Sequence, residues 1–330
     1  MTRDDVTRHI GQGAQVVKGK LPPQAVSVKR QQPTRAVNRL RMASSEDRPP
    51  NQPPATKYKY EYEYEGIPMT FLAPKESLDA MKTFEMRDGD VVVLSYPKSG
   101  TSWTYQIVHE ILDGKPETKF AKVLETVPDM GYETQPVYAQ LQQAPSPRLI
   151  WTHLPFQLAP PGLSTPINKV KVIVILRNPK DVSVSYYYFR QNFQFTTSPE
   201  SWEQHAKDFL DGTLVYGDYF DHVLGWWQRK DDPHFLFVKY EDMKKDFPSW
   251  VKTIAAFLEK ELTDEDLSRV FTNCSMESIR KTLAGTIRKD VVRKGIVGDW
   301  KDHYSAEQSA KLDQKYRERM AGSGLEFEFE

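Results

Sequence analysis

The sequence predicts an α/β fold with a central, mostly parallel β-sheet flanked by helices. The first observation is a set of short, apolar, often β-branched runs with the length of buried strands, at Asp90–Ser95, Arg148–Thr152, Lys171–Leu176 and His234–Lys239. The second is that helical patterns separate and follow these runs, most clearly at Thr101–Leu112, Pro179–Arg190, Trp202–Leu210, Tyr219–Arg229 and Phe247–Leu258. Strands that alternate with helices favour a parallel sheet covered on both faces.

The chain before this region has a different composition. Residues 1–57 are rich in Gln, Pro, Arg and Lys and poor in aromatic residues, and such a segment buries too little apolar surface to fold. We therefore predict a disordered N-terminal extension at 1–57 and a single domain at 58–330. The excess of Arg leaves a targeting peptide open, although Ser is scarce and no amphipathic helix is evident. Between Tyr58 and Tyr64, Tyr alternates with Lys or Glu, which indicates a short strand.

Composition argues against several classes of protein. The formal net charge is zero, so no overall field attracts nucleic acid or an anionic membrane, and any anion site must be built locally. Cys274 is the only cysteine, which rules out a disulfide framework and argues against a cysteine-based zinc site. No apolar run reaches about 18 residues and the N-terminus has no apolar core, so we expect neither a transmembrane helix nor a signal peptide. These features favour a cytoplasmic protein.

The strand at Asp90–Ser95 leads into a loop with the properties of a phosphate site. The loop and the start of the next helix have the sequence Tyr96-Pro97-Lys98-Ser99-Gly100-Thr101-Ser102-Trp103. Gly100 lets the backbone approach an anion, the helix start presents amide donors, and Lys98 adds a mobile positive charge. The spacing differs from a Walker A loop, in which Lys follows the second Gly. An ordinary strand-to-helix turn with an exposed Lys is the alternative.

A second cationic segment follows the strand Lys171–Leu176. Arg177 stands at the carboxyl end of this strand, where open α/β sheets bind ligands, and its planar guanidinium suits bidentate phosphate binding. Asn178 and Pro179 predict a helix start, and Ser185 falls two turns into that helix. A capped helix with solvated charges would explain the same residues without a ligand.

A third segment, Arg293-Lys294-Gly295, combines two adjacent cations with a glycine and could form a compact anion clamp. Taken alone, it is more simply a basic surface loop. Its occurrence in one chain with the other two segments favours an anion site built from all three.

Together these segments resemble the cytosolic sulfotransferase family. Tyr96–Trp103 is similar to the family's 5′-phosphosulfate loop, Arg177–Phe189 to its 3′-phosphate element, and Arg293–Lys301 to its C-terminal signature. Ser146–Pro155 is similar to the segment that holds the family's catalytic histidine. Order and spacing agree from about Gly66 to the C-terminus. The resemblance implies a PAPS-dependent sulfotransferase with a P-loop-like nucleotide site, which passes a sulfonate group to a hydroxyl or amine of a small molecule and releases PAP.

The resemblance also implies a role for each matching residue. The residues implied to hold the 5′ end of the donor are Lys98, Ser99, Gly100, Thr101 and Ser102, with Trp103 beside the adenine. Those implied to bind the 3′-phosphate are Arg177, Ser185, Arg293, Lys294 and Gly295. Those implied to contact the purine are Tyr240 and, by a weaker match, Ser275 and Met276.

For catalysis the resemblance implies His153 as general base and Lys98 as the group that stabilises the leaving phosphate. Ser185 would hold Lys98 away from the donor until the acceptor binds. The near-neutral reference pKa of histidine suits proton removal, although a structural loop histidine is the alternative for His153. No metal is expected, because Lys and Arg supply the charge that magnesium supplies in kinases. Phe189 is the matching acceptor-site residue.

Two segments depart from the family's pattern. The family usually has Lys two residues before the histidine, whereas this chain has Trp151, so a positive charge near the sulfonate is missing and Trp151 becomes a candidate lining residue of the acceptor pocket. The family's dimer motif is altered over Lys301–Ala306, and Ala310 replaces its Glu. We therefore expect a monomer or a weak homodimer.

Three other functions stay open. A P-loop small-molecule kinase would need a Walker A spacing and an acidic metal ligand, and neither is evident. A weakly active or non-catalytic ligand-binding member is compatible with Trp151. A Golgi sulfotransferase acting on glycans would carry a membrane anchor. The acceptor is open among phenols, steroids, alcohols and amines, with an aromatic-lined, hydrophobic pocket expected.

Overall fold

A computed structural model describes residues 61–112, 123–127, 135–193, 196–283 and 293–330. The predicted extension at 1–57 lies outside these ranges, as does the start of the Tyr58–Tyr64 segment. The described chain opens with an antiparallel ribbon in which β1 (Glu61–Tyr64) pairs with β2 (Ile67–Thr70). The short strand that the alternating Tyr residues indicate is therefore confirmed over its described part.

The four predicted buried strands form one parallel sheet. They are β3 (Val91–Ser95), β4 (Leu149–Thr152), β5 (Lys171–Leu176) and β6 (Phe235–Lys239), in the order β4-β3-β5-β6. From β3 the chain continues to β4 on one side and then to β5 on the other. This reversal places a crevice at the carboxyl ends of β3 and β5, where open α/β sheets bind ligands.

Helices flank the sheet, so the predicted fold class is confirmed. The described helices are α1 (Lys75–Met81), α2 (Thr101–Ile111), α3 (Val137–Gln143), α4 (Pro161–Ser164), α5 (Pro179–Asn192), α6 (Trp202–Asp211), α7 (Tyr219–Trp227), α8 (Tyr240–Lys245), α9 (Phe247–Phe257), α10 (Asp264–Asn273), α11 (Met276–Leu283) and α12 (Ala306–Met320). The ends of the five predicted helices, α2, α5, α6, α7 and α9, agree to within two residues. The predicted start of α5 is confirmed in detail, since the Asn178 side chain accepts from the Asp181 amide and Pro179 is the first helical residue.

Apolar side chains cover both faces of the sheet. Because successive strand residues point to opposite faces, Val92 and Leu94 join one core, which includes Trp226, while Val91 and Val93 join a second core around α2 and α9. The two cores fix β3 in the centre of the sheet. The loop that leaves its carboxyl end therefore starts from a rigid base.

A buried ion pair closes the opposite, amino-terminal edge of the sheet. Arg148 donates from Nε to the Asp90 carboxylate at 2.9 Å, and both side chains are almost completely buried. The same guanidinium donates to the backbone carbonyls of Leu141 and Glu85. This single side chain thus ties the start of β4 to the segment before β3 and to the last turn of α3.

We expect Arg148→Met to lower the free energy of unfolding by about 3–5 kcal/mol, because Asp90 would stay buried without its partner. Urea unfolding measures this loss. The matched control is Lys75→Met, which breaks an ion pair with Asp79 whose side chains are 59% and 43% exposed. Such a surface pair contributes about 0–1 kcal/mol. Equal losses in the two variants would show that Arg148 does not act through its buried charge.

Candidate active site

Arg177 joins the segments that converge at the carboxyl edge of the sheet. It donates from Nη1 to the backbone carbonyl of Lys98 at 3.2 Å and from Nη2 to that of Ile296 at 3.1 Å. Its guanidinium carbon lies 4.4 Å from the centre of the Tyr240 ring. These contacts bring together the loop after β3, the end of β5, the start of α8 and the segment that contains Arg293. The three cationic segments of the sequence therefore meet at one edge of the sheet.

The loop after β3 is held in an unusual backbone conformation. Lys98 has φ +71° and Gly100 has φ +114°, a region that favours glycine. A Cβ atom on Gly100 would lie 2.8 Å from Cδ2 of Tyr240, and one on Gly295 would lie 3.0 Å from Sδ of Met276. The sequence predicts that Gly100 lets an anion approach the backbone closely. In the structure, Gly100 also lets the Tyr240 ring approach the backbone closely.

Positive charges crowd around the Lys98 ammonium. Burial, Arg177 and Arg293 together lower the pKa of Lys98 to about 7. The Lys98 Nζ atom lies 4.5 Å from the centre of the Phe189 ring. Ser185 lies one turn before Phe189 on the same helix, and residues four apart share a helix face. The positions implied for Lys98, Ser185 and Phe189 are thus brought to one place.

Two cations that sequence reasoning missed extend this cluster. Burial, Arg177 and Arg280 lower the pKa of Lys244. Arg280 also donates to the backbone carbonyls of Arg293 and Lys294, at 3.0 Å each. Like charges are held this close only where the fold or a ligand compensates their repulsion, so the arrangement suits an anion.

Two buried aspartates fix the third anion segment. Asp181, in the first turn of α5, accepts from the backbone amides of Gly298 and Trp300 at 2.9 and 3.1 Å. Asp299 accepts from the side chains of both Arg293 and Lys294. The clamp is therefore anchored on α5 through its backbone, while its two cationic side chains are paired with a carboxylate.

Several buried donors in this cluster lack a hydrogen-bond partner within the described residues. They are Oγ of Ser99, Nε of Arg177 and Nε of Arg293. Buried polar groups are normally hydrogen-bonded, and unpaired donors gathered in one place suit the binding of a ligand. With the depressed pKa of Lys98, they fit a ligand that carries negatively charged oxygen atoms.

The residues implied to contact a purine lie beside the cationic cluster. Trp103 donates from Nε1 to the Cys274 carbonyl at 3.0 Å and stacks on Phe247. The Ser275 hydroxyl accepts from the Ser278 amide and so caps α11. Met276 lies against Gly295, as its distance to the Cβ position there shows. Within the loop, Thr101 is hydrogen-bonded to the Ser95 hydroxyl, and Ser102 follows in the first turn of α2.

His153 comes directly after β4 and is bonded to the end of β3. Its Nδ1 lies 2.7 Å from the Ser95 carbonyl oxygen, so Nδ1 carries the proton and Nε2 has the lone pair. The Trp151 Nε1–H donates to that Nε2 at 3.3 Å. The His153 backbone amide donates to Glu125 at 3.2 Å, and its carbonyl accepts from His222 Nε2 at 2.9 Å.

The groups that support His153 carry shifted pKa values, and sequence reasoning missed them. Burial raises the pKa of Glu125, whose carboxylate also accepts from the Thr152 hydroxyl and interacts with Tyr216. Burial lowers the pKa of His222 to about 4, so this imidazole is neutral near pH 7. Glu125 and His222 are far from His153 in sequence, and no local pattern marks them.

The fold and the site define an α/β domain with a cluster of cations at the carboxyl edge of its sheet, and comparison with known proteins assigns its family. Residues 88–324 match the family model described as a sulfotransferase domain. The chain is 37% identical to Sulfotransferase 6B1 of Danio rerio over 259 residues, which are 78% of this chain and 86% of that one. It is also 37% identical to the amine sulfotransferase of Oryctolagus cuniculus, over 78% of this chain and 89% of the relative. The chain therefore belongs to the sulfotransferase family and is an enzyme of that class, as the motifs predict.

Solved structures agree with this assignment. The mouse sulfotransferase SULT7A1, complexed with PAP, superimposes with a TM-score of 0.70 at 30% identity, over 80% of this chain and 96% of that chain. Retinol dehydratase, in complex with androsterone and PAP, shares the fold with a TM-score of 0.71 at 23% identity, over 82% and 92% of the two chains. Among the described residues, no helix is both long and apolar enough to cross a bilayer.

Gly100→Ala tests the contact between the loop and Tyr240. A left-handed backbone costs a residue with a Cβ atom about 1–2 kcal/mol, and the overlap with Tyr240 should add about 1–3 kcal/mol. The control is Gly322→Ala, because Gly322 has φ +74° but no atom within 4 Å of the Cβ position. We expect urea unfolding to show a distinctly larger loss for Gly100→Ala. Equal losses would mean that the loop moves away from Tyr240 at no cost.

Proposed function

We propose that the protein transfers a sulfonate group from PAPS to a hydroxyl or amine of a small, hydrophobic acceptor. One observation carries the proposal: His153 is bonded to Ser95, the residue from which the loop with Lys98 departs. A proton acceptor and a cluster of cations are thus held on the same strand end. This is the combination that transfer of a charged group to a neutral acceptor requires.

The cationic segments supply two groups of anion contacts, which suits a nucleotide with separate 5′ and 3′ charges. The proposed 5′ contacts are Lys98, Ser99, Gly100, Thr101 and Ser102. The proposed 3′-phosphate contacts are Arg177, Ser185, Arg293, Lys294 and Gly295. The proposed purine contacts are Trp103, Tyr240, Ser275 and Met276. The PAP complex of mouse SULT7A1 supports this choice of donor. For Ser275 the backbone is the better candidate, because its hydroxyl caps α11.

When bound, PAPS supplies an activated sulfonate group. In our proposal His153 takes the acceptor's proton on Nε2, and the Ser95 carbonyl stabilises the resulting imidazolium through Nδ1–H. Protonated Lys98 holds positive charge where negative charge develops on the leaving phosphate. Ser185, on the face of α5 next to Lys98, would restrain this lysine until the acceptor arrives. No step in this scheme requires a metal.

Phe189, Trp151 and His153 are proposed to line the acceptor site, since Phe189 meets Lys98 and Trp151 meets His153. A cytoplasmic location and a monomer or weak homodimer stay predictions. One observation favours a second candidate function, binding of ligands with weak or no turnover. The Trp151 indole N–H occupies Nε2, the atom that must accept the proton.

Transfer of radiolabelled sulfonate from PAPS to a panel of phenols, steroids, alcohols and amines tests the proposal. We expect at least one acceptor to be modified. We also expect PAP to raise the melting temperature. At 100 times its dissociation constant, PAP should increase the free energy of unfolding by about 2.7 kcal/mol, whereas ATP should have a much smaller effect. Binding of PAP without any product would favour the second candidate. Equal stabilisation by ATP and PAP would contradict the assigned donor.

Two alanine variants should separate chemistry from donor binding. His153→Ala should lower turnover by about a hundredfold to ten-thousandfold while PAP affinity, measured by calorimetry, stays near that of the wild type. Arg293→Ala should raise the KM for PAPS at nearly constant kcat, because the 3′-phosphate does not react. If His153→Ala retains more than about a tenth of the rate, His153 is not the base. If it loses PAP binding, its role is structural.

The depressed pKa of Lys98 predicts that PAP binding takes up a proton. Free Lys98 has a pKa of about 7, and a bound anion should raise it toward the ordinary lysine range. At a pH between about 7 and the pKa of Lys98 in the complex, PAP binding is linked to protonation of Lys98. PAP affinity should therefore fall as pH rises above 7, and binding near pH 8 should take up about one proton. Calorimetry in buffers of different ionisation enthalpy measures this uptake.

Lys98→Met should abolish the uptake. The matched control is Lys294→Met, because Asp299 raises the pKa of Lys294, which is therefore already protonated at pH 8. Uptake that is unchanged in Lys98→Met would assign the proton to another group.

A further inference from the structure

Trp151 stands where its indole can control the lone pair of His153. Trp151 lies in β4 and His153 comes directly after the end of that strand, two residues further on. The distance from Trp151 Nε1 to His153 Nε2 is 3.3 Å, and their rings meet edge to face with centroids 5.7 Å apart. Tryptophan is only a donor, so the proton in this bond belongs to the indole.

Two hydrogen bonds to the imidazole assign the same tautomer. The Ser95 carbonyl can only accept, which places the proton on Nδ1. The Trp151 N–H can only donate, which requires the lone pair on Nε2. A neutral imidazole has one such lone pair. The indole and an acceptor hydroxyl therefore compete for the atom that must remove the proton.

The indole is held firmly in this position. Trp151 is 7% exposed and belongs to the core around α2, with the Tyr105 ring centroid 6.0 Å away. Its backbone pairs with β3 at Val93, and its carbonyl accepts from the Leu124 amide. A buried indole N–H needs a partner, and His153 Nε2 provides one.

We propose that Trp151 is a positioning residue that restrains the general base, so that the acceptor binds productively only by displacing the indole N–H from Nε2. This inference rests on the proposed function of His153. It assigns Trp151 more than the lining of a pocket: the residue fixes the tautomer of His153 while no acceptor is bound and lowers the basicity of Nε2. An imidazolium has no lone pair, so the contact stabilises the neutral form alone.

The other groups that face His153 contribute to its titration and are unchanged by a substitution at 151. Glu125 accepts from the His153 backbone amide, and the Ser95 carbonyl accepts from Nδ1. The neutral His222 donates to the His153 carbonyl, and the Tyr216 ring centroid lies 5.5 Å from that of His153. Removal of the indole N–H therefore isolates its own effect.

The test is Trp151→Phe, which retains an aromatic ring without the N–H. We expect the pKa of His153 to rise by about half to one unit, the effect of losing one neutral hydrogen bond. Titration of imidazole ¹⁵N resonances, assigned with His153→Gln, measures the shift without turnover. The acidic limb of kcat/KM should move to higher pH by the same amount, and the KM for the acceptor at pH 8 should fall about three- to tenfold.

The matched control is Trp227→Phe, which removes an indole N–H that donates to the Ser323 carbonyl at 2.9 Å. It should leave the pKa of His153 unchanged. PAP affinity, measured by calorimetry, should be unchanged in both variants, which verifies folding. If Trp151→Phe fails to fold, benzothienylalanine at position 151 keeps the bicyclic ring and lacks the N–H.

An unchanged pKa of His153 in the folded 151 variant overturns the inference, and so does an unchanged or raised KM for the acceptor. A shifted resonance pKa with a fixed acidic limb has a different meaning. It would show that the indole contact is real but that His153 is not the general base. The role given to His153 in the proposed function would then be wrong, and the present inference, which rests on that role, would fail with it. The expected changes in the pKa of His153, in the acidic limb of kcat/KM and in the KM for the acceptor, found together, support both proposals.

Discussion

The site depends on the position of one guanidinium, that of Arg177. Arg177 directly follows β5, so its backbone is held rigidly by the sheet. Its guanidinium donates to the backbone carbonyls of Lys98 and Ile296 and thereby holds these two segments at a fixed separation. The guanidinium lies against the Tyr240 ring. The same ring leaves no room for a side chain at position 100. A lysine could not replace this arrangement, because a single ammonium lacks the planar fork that reaches two carbonyls at once.

Holding cations together requires counter-charges that do not occupy the ligand's place. Glu241 and Asp181 meet this need from behind the site: Glu241 accepts from the Asn178 backbone and side chain, and Asp181 accepts from the backbone of the clamp segment. Both carboxylates accept from backbone or amide donors, and Asp181 Oδ2 also lies 3.9 Å from Arg177 Nη2. Burial of Lys98, together with the nearby charges of Arg177 and Arg293, lowers its pKa to about 7.

Local patterns predicted the sheet and the principal helices because each depends on short-range chemistry. Apolar β-branched runs marked β3 to β6, and the Asn178-Pro179 pair marked the start of α5. The contacts made by Arg280, Glu125 and Asp181 could not be predicted, since each joins parts of the chain that only the tertiary fold brings together. The same limit applies to Trp151. Its sequence position suggested a missing cation, whereas the structure gives it a hydrogen bond to His153 that no pattern encodes.

The two sides of the proposed reaction have one physical feature in common. On the donor side, repulsion from Arg177 and Arg293 disfavours the charged form of Lys98, and an anion would relieve that repulsion. On the acceptor side, the Trp151 N–H occupies Nε2 of His153, and a correctly placed hydroxyl would replace it. In this proposal each reactive group is therefore more stable with its own ligand bound than without it. Both groups are held at the end of β3, Lys98 by the loop that follows Ser95 and His153 by its bond to the Ser95 carbonyl. The proposed base and the proposed leaving-group cation therefore share one short stretch of backbone, from Ser95 to Lys98.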